Sequence, residues 1–149
     1  MFDKEIVKFV EKELGSKEEV IDYLSEMLYK ADKISDKEEY KKAVMNRESV
    51  MPTEIGYCIA IPHGESDSVK ESFCACLKLP KMIRWNKEEV SYVFNIGVPI
   101  KQRSEEHIRI LSRLCSDLMI EDFRKKLYGS KNEEELFQTM RSITKEDVK

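Results

Sequence analysis

Apolar positions change their spacing twice along the 149-residue chain, and the changes divide it into three parts. Between residues 16 and 48 they recur every three or four positions, which is typical of amphipathic helices. Between residues 57 and 98 they form continuous or alternating runs, which are typical of strands. Helical spacing returns after residue 104. This order predicts a compact α/β layer architecture.

Two helices are predicted in the first part. One opens at Ser16 with the capping-box sequence SKEE. Its apolar stripe consists of Val20, Ile21, Leu24, Met27, Leu28 and Ala31. The second opens with another box, SDKE at residues 35–38, turns Tyr40, Ala43 and Val44 inward and runs to about Glu48. Pro52 then prevents its continuation.

Three runs are predicted to be strands, and each stops at a proline: 57–61 before Pro62, 72–79 before Pro80 and 90–98 before Pro99. The third run is apolar enough to be central in a sheet. Residues 5–13 fit either a helical stripe or a short strand, with a mild preference of the periodicity for helix.

Three helices are predicted after residue 104. The first places Ile108, Leu111, Leu114, Cys115 and Leu118 on one face. A short helix covers Glu121 to Tyr128 and ends at Gly129, and a third box, SKNE at 130–133, opens the last helix. Because no linker or repeat interrupts the chain, we expect one domain over residues 1–149.

Composition is that of a globular protein with a charged surface, at 41% hydrophobic and 37% charged residues. A net charge of −3 argues against direct nucleic-acid contact. No apolar stretch approaches the roughly 20 residues that span a bilayer, and the N-terminus lacks the pattern of a signal peptide. The sequence therefore predicts a cytoplasmic protein without membrane insertion.

Four cysteines, Cys58, Cys74, Cys76 and Cys115, show no Cys-x-x-Cys spacing. Cys74 and Cys76 are two apart on a predicted strand, so they share a face and are poorly placed to bridge. We interpret the four as small buried residues in a reducing compartment. A zinc site of Cys58, Cys115 and the two histidines lacks ligand spacing, so no metal or cofactor is expected.

The segment 59–64, of sequence IAIPHG, carries the strongest candidate for chemistry. His63 follows an apolar strand, Pro62 fixes the backbone before it, and Gly64 permits close approach of a partner or ligand. A lone histidine after a strand is usually a surface turn residue. In this setting its neutral imidazole is also a good phosphoryl acceptor.

Three further residues are candidates for a shared phosphoryl pocket. His107 begins a helix, where imidazole and free amides stabilise phosphoryl oxygens, unless it is only a solvated polar residue. Arg47 is placed to offset phosphoryl charge, although most arginines only solvate a face. Thr53 either donates its hydroxyl to the same group or organises its turn.

These segments together resemble a known family. Four segments, RE at 47–48, PTEIG at 52–56, IAIPHG at 59–64 and EHI at 106–108, are similar, in this order, to enzyme IIA domains of the mannitol/fructose type. Those domains belong to the bacterial phosphoenolpyruvate-dependent sugar phosphotransferase system. The similarity covers nearly the whole chain, from residues 16–19 to 133–137.

The resemblance implies both a role for each residue and a fold. It implies that His63 takes a phosphoryl group from the histidine-containing phosphocarrier protein (HPr) and passes it to enzyme IIB. His107 and Arg47 would flank that group, and Thr53 would belong to the approach loop. The implied fold is a mixed β-sheet sandwiched between helical layers, in the order β-α-α-β-β-β-α-α-α. On this basis residues 6–11 are assigned as the first strand, against the periodicity.

The chain departs from the resemblance at Tyr57 and Cys58, where the family often has small residues. Two outcomes are open for these larger side chains: they narrow the docking surface, or they leave function unchanged. A phosphocarrier is the leading functional prediction. The alternative is the C-terminal enzyme IIA-like domain of a sugar-operon regulator or antiterminator of the BglG family, phosphorylated on His63 as a signal. A zinc hydrolase is disfavoured, since no acidic ligand or base has suitable spacing.

Overall fold

A six-stranded mixed sheet lies between two layers of helices, which confirms the predicted fold class. The predicted element order is corrected at one place, since five strands rather than three lie between the second and third helices of the described chain. The computed structural model describes residues 2–100 and 105–147, and it leaves the side chains at 105–108, 110–111 and 144–147 outside that description. In the described part of the chain, no helix is both long and apolar enough to cross a membrane.

The helices and strands have these bounds. The helices are α1 (Lys17–Lys30), α2 (Lys37–Val50), α3 (Glu105–Leu118), α4 (Glu121–Tyr128) and α5 (Glu133–Asp147). The strands are β1 (Val7–Phe9), β2 (Glu54–Gly56), β3 (Ile59–Ala60), β4 (His63–Glu65), β5 (Phe73–Arg84) and β6 (Glu89–Val98).

Strand β6 is central, as predicted. It pairs antiparallel with β5 and parallel with both β3 and β4, and β1 and β2 lie at the outer ends of the order β1-β5-β6-β3-β2. Strand β1 is parallel to β5, with Val7 opposite Cys76. The first element is therefore a strand, shorter than the predicted 6–11, and it follows a 3-10 turn at Lys4–Ile6.

Alternate residues of the sheet belong to two hydrophobic cores, one on each face. On one face, Ala75 and Leu77 of β5 pack with α1 and α2. On the other, Cys74 and Cys76 pack with the apolar side chains of α3, α4 and α5. The two cysteines thus share a face, as the period of two predicts. Both are buried, whereas Cys115 is exposed and Cys58 is partly exposed, which corrects the interpretation of all four as buried.

The strands differ from the prediction at two of the three prolines. Pro62 interrupts a strand rather than ending it, because pairing with β6 resumes at His63. Strand β5 runs through Pro80 to Arg84. The missing N–H of Pro80 is tolerated because pairing with β1 reaches only Lys78 and the register with β6 shifts between Lys78 and Ile83.

Two helix caps also differ from the predicted boxes. Helix α2 is capped by Asp36 rather than Ser35, and its carboxylate accepts the amide of Glu39 at 3.0 Å. Asn132, rather than Ser130, accepts the first-turn amide of α5 at 2.9 Å. Asp, Asn and Ser cap helices about equally well, so a sequence with two candidates leaves the start undecided.

We expect Gly97→Ala to lower the free energy of unfolding by about 1–3 kcal/mol. A Cβ at Gly97 would lie 2.2 Å from Cζ of Phe73, whose ring is 1% exposed and has little room to move. Denaturant unfolding followed by circular dichroism measures the loss. Gly97→Ala combined with Phe73→Leu removes the overlap, so the pair should cost less than the sum of its single changes. A Gly97→Ala protein as stable as wild type would contradict this packing account.

Candidate functional site

A buried network of hydrogen bonds fixes the backbone that leads into His63. The carbonyl of Pro62 accepts hydrogen bonds from the amide of Ile96 and from Nδ2 of Asn95, both at 3.1 Å. The Tyr40 hydroxyl in turn donates to Oδ1 of Asn95 at 2.6 Å. Burial raises the pKa of Tyr40, which keeps its proton available for this bond. Hydrogen bonds from Tyr40 on α2 to Asn95 on β6, and from Asn95 to Pro62, therefore fix the backbone at the start of β4.

The ring of His63 is half-buried and oriented by one hydrogen bond. Its Nδ1 lies 3.1 Å from the carbonyl oxygen of Ile61. Because a carbonyl only accepts, Nδ1 carries the proton in this contact. In the neutral imidazole the lone pair then resides on Nε2, on the opposite side of the ring. This arrangement leaves one defined nucleophilic nitrogen.

His63 lines a pocket of about 500 Å³ together with Arg47, Thr53 and Cys115. The structure therefore brings together three of the four predicted site residues. His107 is the third residue of α3, but its side chain lies outside the described residues. Its predicted place in the pocket stays a prediction.

Arg47 comes from the last turn of α2 and is partly exposed. Its Nη1 donates to the carbonyl oxygen of Met51 at 2.9 Å, across the bend where the helix ends. A guanidinium has five N–H donors, so this bond leaves others available for an anion in the pocket. Arg47 is the positive group that the structure places on the same pocket as His63.

Thr53 is buried, and its hydroxyl is already used. It donates to Oε2 of Glu48, and the Thr53 amide lies 3.3 Å from Oε1 of the same carboxylate. The Thr53 carbonyl accepts the amide of Ile61 at 3.0 Å. Of the two predicted roles for Thr53, these contacts favour organising the approach loop over donating to a phosphoryl group.

Glu48 is the residue that the sequence analysis missed. It follows Arg47 on α2 and is 3% exposed, although its position near a helix end resembles that of a surface charge. Its partners Lys17 and Trp85 are 31 and 37 residues away, so local sequence carried no signal of its burial. The only hint was its place directly beside Arg47 in the family-like segment.

Gly64 lines the pocket of His63, where its predicted role towards a partner or ligand stays a prediction, and the structure shows a close approach on its other side. The close approach is internal: a Cβ there would lie 2.8 Å from Cγ2 of Val44 and 3.2 Å from Cε1 of Tyr40. Glycine thus lets β4 pack directly on α2.

Tyr57 and Cys58 lie away from the pocket. Both have positive φ, +58° and +63°, which is the sign pattern of a two-residue type I′ hairpin turn between β2 and β3. The guanidinium carbon of Arg124 lies 3.7 Å from the centre of the Tyr57 ring, and the Tyr128 hydroxyl donates to the Tyr57 carbonyl. Neither turn residue is part of the pocket lining.

Cys115 is a second potential nucleophile in the pocket. Desolvation raises the pKa of its thiol, so it stays protonated at neutral pH, and the thiol is a much weaker nucleophile than the thiolate. Among the side chains that the structure describes, no group of three or more His, Cys, Asp or Glu residues could hold a metal ion.

Comparison with known families decides the relationship. The family model "Phosphoenolpyruvate-dependent sugar phosphotransferase system, EIIA 2" matches residues 1–143. The chain belongs to this EIIA family. The resemblance carried by the sequence segments is therefore confirmed.

The relatives of this chain include a protein of similar length and proteins that are several times longer. A fructose-specific EIIA component of Haloferax volcanii is 30% identical over 142 residues, which cover 93% of this chain and 89% of that protein. A fructose-specific EIIABC component of Bacillus subtilis is 35% identical over 125 residues, 82% of this chain. The chain spans only 20% of that relative, and likewise 20% of an Escherichia coli EIIABC component specific for 2-O-alpha-mannosyl-D-glycerate.

Solved EIIA structures share the fold. The crystal structure of IIA mannitol from Escherichia coli aligns with a TM-score of 0.74 at 26% identity, covering 94% of this chain and 99% of that one. A complex of enzyme IIAMTL and phosphorylated enzyme IIBMTL, also from Escherichia coli, aligns with a TM-score of 0.76 at 24% identity, covering 95% and 98%.

Proposed function

We propose that the protein is a phosphocarrier of the phosphoenolpyruvate-dependent sugar phosphotransferase system, acting in the cytoplasm. It accepts a phosphoryl group from phospho-HPr on His63 and passes it to enzyme IIB. The observation that carries the proposal is the bond from Nδ1 of His63 to the Ile61 carbonyl, in a pocket that also holds Arg47. Family membership supports the same reaction class.

The geometry supplies what an in-line transfer needs. The lone pair on Nε2 forms the new N–P bond while the N–P bond to the donor histidine breaks, and its electron pair returns to the donor nitrogen. The His63 ring gains positive charge in this step, so the hydrogen bond from Nδ1 to the Ile61 carbonyl strengthens. Arg47 offsets the charge of the phosphoryl oxygens.

Apolar side chains beside the pocket support a protein as the phosphoryl donor. Val50 and Met51 follow Arg47 on the chain and are 80% and 65% exposed. Methionine is enriched in protein–protein interfaces relative to the rest of the surface, and exposed apolar patches often mark such interfaces. One solved relative of this fold is in complex with phosphorylated enzyme IIBMTL, which supports an enzyme IIB as the acceptor.

A reconstituted transfer assay tests the proposal. The protein is incubated with labelled phosphoenolpyruvate, enzyme I and HPr, and enzyme IIB is then added. We expect an acid-labile, base-stable label that moves on to IIB. Absence of any label would contradict the proposal. Label that stays on the protein in the presence of several IIB proteins would instead favour the regulatory alternative.

We expect His107→Ala to slow the transfer by about 10- to 100-fold while the adduct still forms. One hydrogen bond to a charged group is worth about 1.5–3 kcal/mol, which corresponds to this range. Helix N-termini, where His107 lies, also attract anions. Rapid-quench measurement of label uptake and of its return to HPr gives the two rates. Unchanged rates of uptake and return would show that His107 is not part of the site.

A further inference from the structure

Glu48 carries a buried carboxylate that four donor groups surround. Thr53 contributes its amide and its hydroxyl, as described above. Nε1 of Trp85 donates at 3.0 Å, and Nζ of Lys17 lies 3.2 Å from Oε1. The ammonium of Lys17 also lies 5.5 Å from the centre of the Trp85 ring. A buried charge with this many donors is well satisfied, whereas removal of one partner is costly.

The carboxylate fixes one wall of the pocket. Two bonds to Thr53 hold the loop that leaves α2, and the Thr53 carbonyl ties the same loop to Ile61, two residues before His63. Pro52, Thr53 and Glu54 line the same pocket as His63. The loop therefore has one fixed path from α2 to the strand that carries the histidine.

Arg47 depends on the same loop. Its Nη1 bonds the carbonyl of Met51, which lies between the helix end and Thr53. If Thr53 moves, the Met51 carbonyl moves with it and the guanidinium loses its fixed position. Glu48 itself does not line the pocket, so it acts through its neighbours.

We propose that Glu48 is a positioning residue for phosphoryl transfer, whose carboxylate holds Thr53 and, through the loop, Arg47 in the geometry that the reaction needs. The inference rests on the proposed phosphocarrier function. It adds to that function a residue that contributes to the rate of phosphoryl transfer without contacting a phosphoryl oxygen. The ammonium of Lys17 is the positive group paired with this buried carboxylate.

Glu48→Gln tests the role most directly. Glutamine keeps the size of the side chain but removes the negative charge beside Lys17. Its NH₂ either faces the Thr53 amide and Nε1 of Trp85, which only donate, or replaces Oε2 and reverses the hydrogen bond with the Thr53 hydroxyl. In single-turnover uptake from phospho-HPr, we expect the maximal rate constant to fall by about 10- to 100-fold, as small misplacements of catalytic groups do. The half-saturating concentration of phospho-HPr should change less than the maximal rate constant, since the variant removes neither of the exposed apolar side chains, Val50 and Met51.

Trp85→Phe is the matched control. It removes another donor from the same carboxylate but leaves both bonds from Thr53, and Trp85 is not part of the pocket. We expect lower thermal stability with a maximal rate constant within about twofold of wild type. If Trp85→Phe slows transfer as much as Glu48→Gln, the effect is one of general stability and the proposal is wrong.

Thr53 gives a second route to the same answer if Glu48→Gln does not fold. Thr53→Val removes the hydroxyl donor and should lower the maximal rate constant, whereas Thr53→Ser keeps the donor and should lower it less. Equal rates for the two variants would overturn the proposal.

Failure of the phosphocarrier function and failure of this inference give different results. A wild-type protein that takes up no label overturns both. A wild-type protein that is labelled, with Glu48→Gln labelled equally fast, overturns this inference alone.

Discussion

We expect the His63→Ala variant to accept no phosphoryl group from phospho-HPr, and this is the largest effect that the site predicts. The half-buried imidazole holds its Nδ1 proton against the Ile61 carbonyl and leaves the lone pair on Nε2. The other potential nucleophile in the described pocket lining, Cys115, has a thiol pKa raised by desolvation. Without His63 the described pocket lining holds no imidazole to form the phosphoryl bond.

The measurement is label transfer from phosphoenolpyruvate through enzyme I and HPr, with wild type and variant side by side. Circular dichroism and thermal unfolding provide the control. The His63 side chain bonds to the carbonyl of Ile61, two residues away, so its loss should leave the fold intact. A folded His63→Ala protein that still takes up acid-labile label would show that another residue is the acceptor.

We expect Arg47→Gln to lower the rate of phosphoryl transfer by about 10²–10³-fold, the loss typical of one preorganised group that stabilises transition-state charge. Arg47 is the cation that the structure places on the pocket of His63. Glutamine keeps a donor for the Met51 carbonyl but has no charge to offset the phosphoryl oxygens. Arg47→Lys should recover part of the rate, because charge returns without the guanidinium geometry.

Arg84 offers a matched control for Arg47. Its Nη1 also donates to a backbone carbonyl, that of Lys87, at 2.9 Å, but Arg84 is not part of the pocket. Arg84→Gln should therefore transfer at the wild-type rate. Single-turnover rapid-quench kinetics compare the two variants. Equal rates for Arg47→Gln and wild type would place the charge stabilisation on another residue.

The fold was predictable wherever one local signal dominated. The bounds of α4 and the place of β6 at the centre of the sheet follow from apolar periodicity and from Gly129 at the helix end. Pro80 was misleading, because a proline interrupts a strand only where its N–H is needed by a neighbour. That need depends on the register between β5 and β6, which local sequence does not contain.

The candidate site was predictable only where local sequence carried the signal. His63 and Arg47 belong to segments with strong local and family-like signals, and both line the pocket. Glu48 was missed because its burial depends on Lys17 and Trp85, which only the tertiary fold brings near it. Gly64 was identified as a site of close approach, and the approach that the structure shows is to α2.

The most direct test of the central claim is a long-range ¹H–¹⁵N spectrum of His63 before and after phosphorylation by phospho-HPr. The bond from Nδ1 to Ile61 predicts a free imidazole protonated on Nδ1 and a phosphorylated form with phosphorus on Nε2. Assignment to His63 follows from the loss of its signals in His63→Ala. Phosphorus on Nδ1, or on a residue other than His63, would contradict the account.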